Sequence, residues 1–115
     1  MIKLTLAVCY NNGLVFQHYG KTRLFKLYNI EDGKIISTSF LDSGDYSHET
    51  LATLLKNNNV SKLICGNLGD HAVKTLSDAN IEILNGNEGS VEDRVKDFLD
   101  VKLKFDPKFT HKCNH

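Results

Sequence analysis

Glu31-Asp32-Gly33-Lys34 separates two runs of strand-forming residues, Thr22 to Ile30 and Lys34 to Leu41. Asp-Gly suits the two positive φ angles of a two-residue hairpin turn, so the runs are expected to pair as neighbouring antiparallel strands. The second run alternates, Ile36, Thr38 and Phe40 against Ser37 and Ser39, as a half-buried strand at a sheet edge would. Upstream, Ile2 to Cys9 is almost wholly apolar or β-branched, the mark of a strand covered on both faces. Tyr10 to Lys21, polar and punctuated by glycine, is expected to be a loop.

Downstream of the hairpin the apolar period lengthens from strand to helix. Ser47 is placed to cap a helix running to about Asn58, with Leu51, Leu54 and Leu55 on its inner face. Asn57-Asn58-Asn59 ends it, and Val60 to Cys65 reads as a short buried strand. After the turn Gly66 to Gly69, Asp70 is expected to cap a helix through Ala79, with Ala72, Val73 and Leu76 inward. Ile81 to Leu84 is a fifth strand, and Asn85 to Gly89 a further glycine-bearing turn. Ser90 with Asp93 approximates a capping box for a last helix, whose stripe is Val91, Val95, Phe98 and Leu99.

The order βββαβαβα predicts a mixed five-stranded sheet in the order 3-2-1-4-5, with strand 2 antiparallel to the others. Right-handed crossovers put the first two helices on one face and leave the third to cover the other. That is an α/β three-layer sandwich of the ribonuclease H-like kind. A single domain is expected over residues 1–104, with 105–115 as a flexible tail.

Composition narrows the function classes. The 115 residues carry 14 Lys and Arg against 14 Asp and Glu, with no block of like charge. Nucleic-acid gripping normally shows as a basic excess, so no nucleic-acid partner is expected. No apolar run approaches the ~20 residues that cross a bilayer, and the start lacks the features of a signal peptide, so no membrane partner is expected. Cys9, Cys65 and Cys113 are odd in number and far apart. They fit neither a disulfide framework nor a paired-cysteine zinc site, and a reducing cytoplasm is the expected location.

In the expected strand order the connections leave strands 1 and 4 in opposite directions, and open α/β sheets bind ligands beyond the carboxyl ends of strands at such a point. Two turns lie there: Phe16-Gln17-His18-Tyr19-Gly20 and Cys65-Gly66-Asn67-Leu68-Gly69-Asp70-His71. Each sets a histidine beside glycine, and neutral imidazole is a common metal ligand. The start of the second helix adds free N–H groups that favour an anion, partly offset by Asp70. His18, Gly66, Asn67, Gly69 and His71 are therefore the candidate binding residues, with His18 and His71 as metal ligands. Cys9 and Cys65 close the two central strands and could add thiolates, although a buried free cysteine usually packs as a small hydrophobe. The alternative is a pair of ordinary turns whose histidines face water.

Other chemistries find less support. Metal-dependent nucleases of this fold need carboxylates on the central strands, and Ile2 to Cys9 and Val60 to Cys65 contain none. A Cys–His hydrolase lacks a recognisable nucleophile turn. Gly66-Asn67-Leu68-Gly69 is neither a P-loop nor a dinucleotide fingerprint. His111-x-Cys113-x-His115 gathers three ligands for iron, zinc or copper in five residues, so Cys113 and His115 are further metal candidates, against adventitious chelation by a chain end. His48, early in the first helix, is expected to face solvent.

Together these turns make the sequence resemble the dinitrogenase iron–molybdenum cofactor biosynthesis family: NifX-type proteins, the NafY core and the domain after the radical enzyme of NifB. The likeness spans nearly the whole chain. It rests on the apolar first strand, His18-Tyr19-Gly20 before Phe25, Glu31-Asp32-Gly33-Lys34 and Gly66-Asn67-Leu68-Gly69 with Ala72 and Leu76. Ala79-Asn80-Ile81 and Gly86 with Gly89 before Val91 complete it. The family typically has Phe where this chain has Tyr19. The CxxxCxxC motif of the radical enzyme is absent from this sequence.

The resemblance implies a non-enzymatic carrier of an iron–sulfur or iron–molybdenum cluster, or a precursor, as in nitrogen fixation. Its first-loop histidine, implicated in cluster binding, maps onto His18, and its partners would be cluster donor and acceptor proteins. Two other classes remain open. One is a cofactor-free interaction or regulatory module; the other is a binder of small anions or nucleotides. The sequence leaves the oligomeric state open.

Overall fold

The computed structural model describes residues 3–44, 46–47 and 50–100. Among the described residues the strands are β1 (Lys3–Asn11), β2 (Leu14–Val15), β3 (Leu24–Glu31), β4 (Lys34–Asp42), β5 (Lys62–Ile64) and β6 (Glu82–Leu84). Three α-helices follow the hairpin: α1 (Leu51–Asn57), α2 (Asp70–Asp78) and α3 (Val91–Leu99). The sheet order is β4-β3-β1-β5-β6, with β2 paired to β1 off that path. β3 is antiparallel to both its neighbours, and β1, β5 and β6 are mutually parallel. The expected order and directions are therefore those observed.

The layers also follow the crossover rule. One apolar cluster joins Phe25, Leu55, Leu63 and Leu76, packing α1 and α2 against one face of the sheet. The other joins Leu6, Val8, Tyr28, Ile64, Val91 and Val95, and brings α3 onto the opposite face. β1 feeds alternate residues to both: Ala7 and Cys9 to the first, Leu6 and Val8 to the second. This two-sided burial explains why its sequence reads as a continuous apolar run.

Four expectations are corrected. Tyr10 to Lys21 is not simply a loop: β1 turns at Asn12 and Gly13, φ 51° and 86°, into the short strand β2, whose Val15 pairs with Tyr10. A short 3-10 turn, Tyr19–Lys21, follows. Tyr10 also pairs with Leu24 of β3, so β2 must lie on the other side of β1, in line with β5 beyond its carboxyl end. Ser47 does not cap α1. Its N–H bonds instead to Thr50 Oγ1, closing a turn before the helix begins at Leu51. Asp70 is the first residue of α2 rather than its cap; extended Gly69 holds that position and accepts from the Val73 N–H. Lastly, β4 is exposed along almost its whole length instead of half-buried, because neither apolar cluster extends over it beyond Leu41.

The helix ends show why the short elements hold. Asn59 and Asn80, at φ 64° and 62°, follow α1 and α2 in the left-handed conformation. Val60 N–H reaches back to Leu55 O, and Ile81 N–H to Leu76 O. These Schellman closures satisfy terminal carbonyls and aim the chain straight into β5 and β6. At α3 the expected cap is found, with Ser90 Oγ accepting from the Asp93 N–H at 3.3 Å.

Candidate functional site

Three loops leave the carboxyl ends of parallel strands at one end of the sheet, and backbone hydrogen bonds bind them together. Because β2 extends the line of β5, residues 16–19 run beside the turn that follows β5. His18 and Asn67 form a parallel bridge, with Asn67 N–H donating to Gln17 O at 2.9 Å and Tyr19 N–H to Asn67 O at 3.2 Å. The third loop is tied in by Gly86 N–H to Gly66 O, 2.8 Å, and Asn87 N–H to Cys65 O, 3.1 Å. Val15 N–H to Gly89 O and Val91 N–H to Gly13 O, both 2.9 Å, fasten it to the β1–β2 hairpin. The two turns singled out by sequence thus meet, and a third joins them.

Gln17 is the side chain at the centre of this knot. Its Nε2 donates to Val15 O and to Asn87 O, each at 3.0 Å. It lies directly over Gly66, where a Cβ would stand 2.5 Å from Gln17 Oε1. Any side chain at 66 would have to push the Gln17 amide aside. Asn87, itself buried, donates to Leu84 O at 2.8 Å and shapes the third loop from within. Neither Gln17 nor Asn87 stood out in the sequence. Gln17 is a polar residue between aromatic neighbours whose partner, Asn87 O, is 70 residues away, and Asn87 reads as one more turn asparagine.

Beneath the loops the floor is apolar and closed. Cys9 and Cys65 follow the last β1–β5 pair, Val8 with Ile64, and both are fully buried with Tyr19. Neither closes its strand as expected, since β1 runs on to Asn11 and Cys65 lies just past β5. A hydrogen bond with Cys9 and burial push the Cys65 thiol well above its ordinary range, which keeps it protonated. Burial, with Cys9 and Cys65 beside it, likewise raises the Tyr19 hydroxyl, which has no hydrogen-bond partner among the described residues. These groups form the support of the site, not its surface.

The surface is carried by the loops. His18, Asn67, Gly69 and His71 are exposed, and Gly66 is buried under Gln17. The His18 ring stands edge-to-face to Phe16, centroids 6.0 Å apart. His71 sits on the first turn of α2. Among the described residues no three His, Cys, Asp or Glu side chains gather as a metal-ion site. His48, His111, Cys113 and His115 lie outside the described residues. A cavity of about 460 Å³, lined in part by Lys3, Glu31 and Asn59, opens near the amino-terminal end of β1, away from the histidine loops. No helix among the described residues is long and apolar enough to cross a membrane.

The result is a small α/β fold that exposes two imidazoles, one on the first loop and one on the first turn of α2, near the carboxyl ends of its parallel strands. The chain belongs to the dinitrogenase iron-molybdenum cofactor family, whose model it matches over residues 3–101. It is 25% identical over 109 residues to the uncharacterized protein MJ0580 of Methanocaldococcus jannaschii, covering 90% of this chain and 91% of that one. Its fold is shared with PH0822, at a TM-score of 0.84 and 21% identity over 92% of this chain and 97% of that one. The apo form of the orange protein of Desulfovibrio gigas is similar at a TM-score of 0.76 and 22% identity, over 89% and 92% of the two chains.

Proposed function

We propose that the chain is a non-enzymatic carrier that takes up an iron–sulfur or iron–molybdenum cluster, or a precursor, at the tied loops and passes it on. Membership in the cofactor family supports the class of cargo. The observation that carries the reading is the backbone bridge between His18 and Asn67, which ties the first loop to the exposed turn before α2. His18 would donate a ring nitrogen to the cluster, with His71 as a second ligand from the helix start. Backbone N–H groups around Gly69 would face the cluster's negative charge, and Asn67 would line its edge.

The donor set suits a carrier rather than a resident centre. A preassembled cluster brings its own bridging atoms and needs few protein ligands. Exposed imidazoles hold such a cargo less firmly than four buried thiolates, so it can leave. Cys65, protonated and buried under the turn, supports the loops in this reading. The cluster's donor and acceptor proteins would be the partners, in the cytoplasm.

The test is anaerobic loading of His18→Ala and wild-type protein with iron–sulfur and iron–molybdenum clusters, side by side, followed by visible absorbance. The variant is expected to retain its thermal midpoint, because an exposed loop side chain contributes little to the core. Its cluster uptake is expected to fall about tenfold, the loss of one ligand interaction of roughly 1.4 kcal/mol. Equal uptake by both proteins would refute the assignment.

A further inference from the structure

The His18 imidazole meets one aromatic ring, that of Phe16, and Phe16 is tied to the core on its other side. The two rings stand edge to face, centroids 6.0 Å apart and planes at 78°. Phe16 packs against the apolar cluster under α1 and α2, and its N–H donates to Cys9 O at 2.9 Å. Gln17, between the two rings in sequence, is turned into the knot of loops and bonded there to Val15 O and Asn87 O. Half-buried Phe16 is therefore the anchored member of the pair, and His18 the exposed one.

The backbone of His18 has little freedom left. The peptide groups on either side of it bond to Asn67, through Gln17 O and the Tyr19 N–H. Its own carbonyl accepts from the Lys21 N–H at 2.9 Å and from the hydroxyl of buried Thr22 at 3.2 Å. What remains is rotation of the side chain, where an unrestrained residue samples three staggered wells about χ1. Among the described residues the ring nitrogens have no hydrogen-bond partner. Resident metal centres usually hold a histidine by hydrogen-bonding its second nitrogen. Here an aromatic contact holds the ring, and both nitrogens stay available.

We infer that Phe16 is the positioning residue for His18: its edge-to-face contact keeps the imidazole in one rotamer, set to meet an incoming cluster, with neither nitrogen taken up by the protein. The inference rests on the carrier reading and adds how its first ligand is made ready. Preorganisation raises affinity because the side chain need not be fixed at the moment of binding. One well in place of three gives about threefold. An aliphatic side chain of similar bulk can fill the place of Phe16 in the core, but it lacks the ring quadrupole that favours the edge-to-face arrangement. Phe16→Leu and Phe16→Tyr therefore separate packing from positioning.

The test is NMR of the apo full chain, followed by anaerobic titration with a preassembled, thiolate-ligated iron–sulfur cubane. The proteins are wild type, Phe16→Leu, Phe16→Tyr, His18→Ala and the Phe16→Leu, His18→Ala double variant. In wild-type protein the His18 ring protons are expected to carry the ring-current shift of Phe16, with relaxation as slow to average as that of the backbone. Phe16→Leu should lose both signatures and bind the cubane about threefold more weakly, whereas Phe16→Tyr should keep all three properties. In the His18→Ala background, Phe16→Leu should have no further effect on uptake. Wild-type His18 ring protons without the shift would overturn the inference. So would a His18 ring as rigid in Phe16→Leu as in wild type, or an equal loss of uptake with and without His18. The ring signatures need no cluster: wild-type protein that takes up none would overturn the carrier reading, while they still decide whether Phe16 holds the ring.

Discussion

The β3–β4 hairpin and the loop end of the sheet are built on opposite plans. The hairpin uses strands of eight and nine residues in near-continuous register, and β4 is nonetheless exposed. At the other extreme β5 and β6 have three residues each, yet Leu63 and Ile64 are fully buried and three loops are tied above them. Strand length is therefore a poor guide to what stabilises this molecule. The short strands are held by burial on both faces, and the candidate site gains its shape from loop-to-loop backbone bonds. That plan leaves His18 and Asn67 exposed, because backbone bonds, helped by the Gln17 and Asn87 side chains, hold the loops in place.

The comparison can be broken first at β5. Leu63→Ala empties a fully buried position in the larger cluster and should cost about 2–5 kcal/mol in urea unfolding. A loss below 1 kcal/mol would show that the short strands are not the keystone. The next effect is at the loops. Gly66→Ala must displace Gln17 and its two hydrogen bonds, at about 1–3 kcal/mol. In a Gln17→Ala background the same change should cost far less, since the obstructing side chain is gone. Additive costs in that double-mutant cycle would mean that Gln17 does not enforce glycine at 66.

A smaller effect is expected where α3 meets the hairpin. Glu92 Oε2 accepts from Lys26 Nζ at 2.8 Å and from Tyr28 Oη at 3.0 Å. The Lys26 ammonium first, and the Tyr28 hydroxyl second, hold the Glu92 carboxyl below its usual range. Burial and the same hydrogen bond push Tyr28 up to about 12. Since the folded carboxyl is the stronger acid, its contribution is complete above the ordinary glutamate range. It is lost as pH falls through the lowered folded value. Glu92→Gln should therefore cost up to about 1 kcal/mol at neutral pH, as an exposed pair would, with the gap to wild type closing below about pH 4. A gap constant from pH 7 to pH 3 would exclude the ion pair as its cause. Least is expected on β4, where Ile36→Thr should change monomer stability by no more than about 0.5 kcal/mol.

What the sequence made legible follows the same division. Asp32-Gly33 was readable as a hairpin because long strand-forming runs flank it, and its φ angles of 53° and 82° match the expected turn. Asn12-Gly13 carries the same signal, but only Leu14 and Val15 follow it and Leu14 is exposed, so no strand pattern announced β2. The meeting of the two glycine turns was predictable from strand order, since topology alone decides which carboxyl ends are neighbours. Gln17 was not, because one of its partners is a backbone carbonyl 70 residues away, and Asn87, bonded locally to Leu84 O, looks in sequence like any turn asparagine. The alternation in β4 was visible, but whether a helix covers an alternating strand is settled by tertiary packing. Here the described helices stop short of it.

The most direct measurement of the carrier reading is an anaerobic 1H–15N titration of the full chain with a preassembled iron–sulfur cluster. The account predicts paramagnetic broadening of the amides of residues 17–19, 66–71 and 87–89, while those of Lys3, Glu31 and Asn59 stay sharp. Broadening centred on Lys3, Glu31 and Asn59, with the His18 and Asn67 amides unaffected, would contradict it.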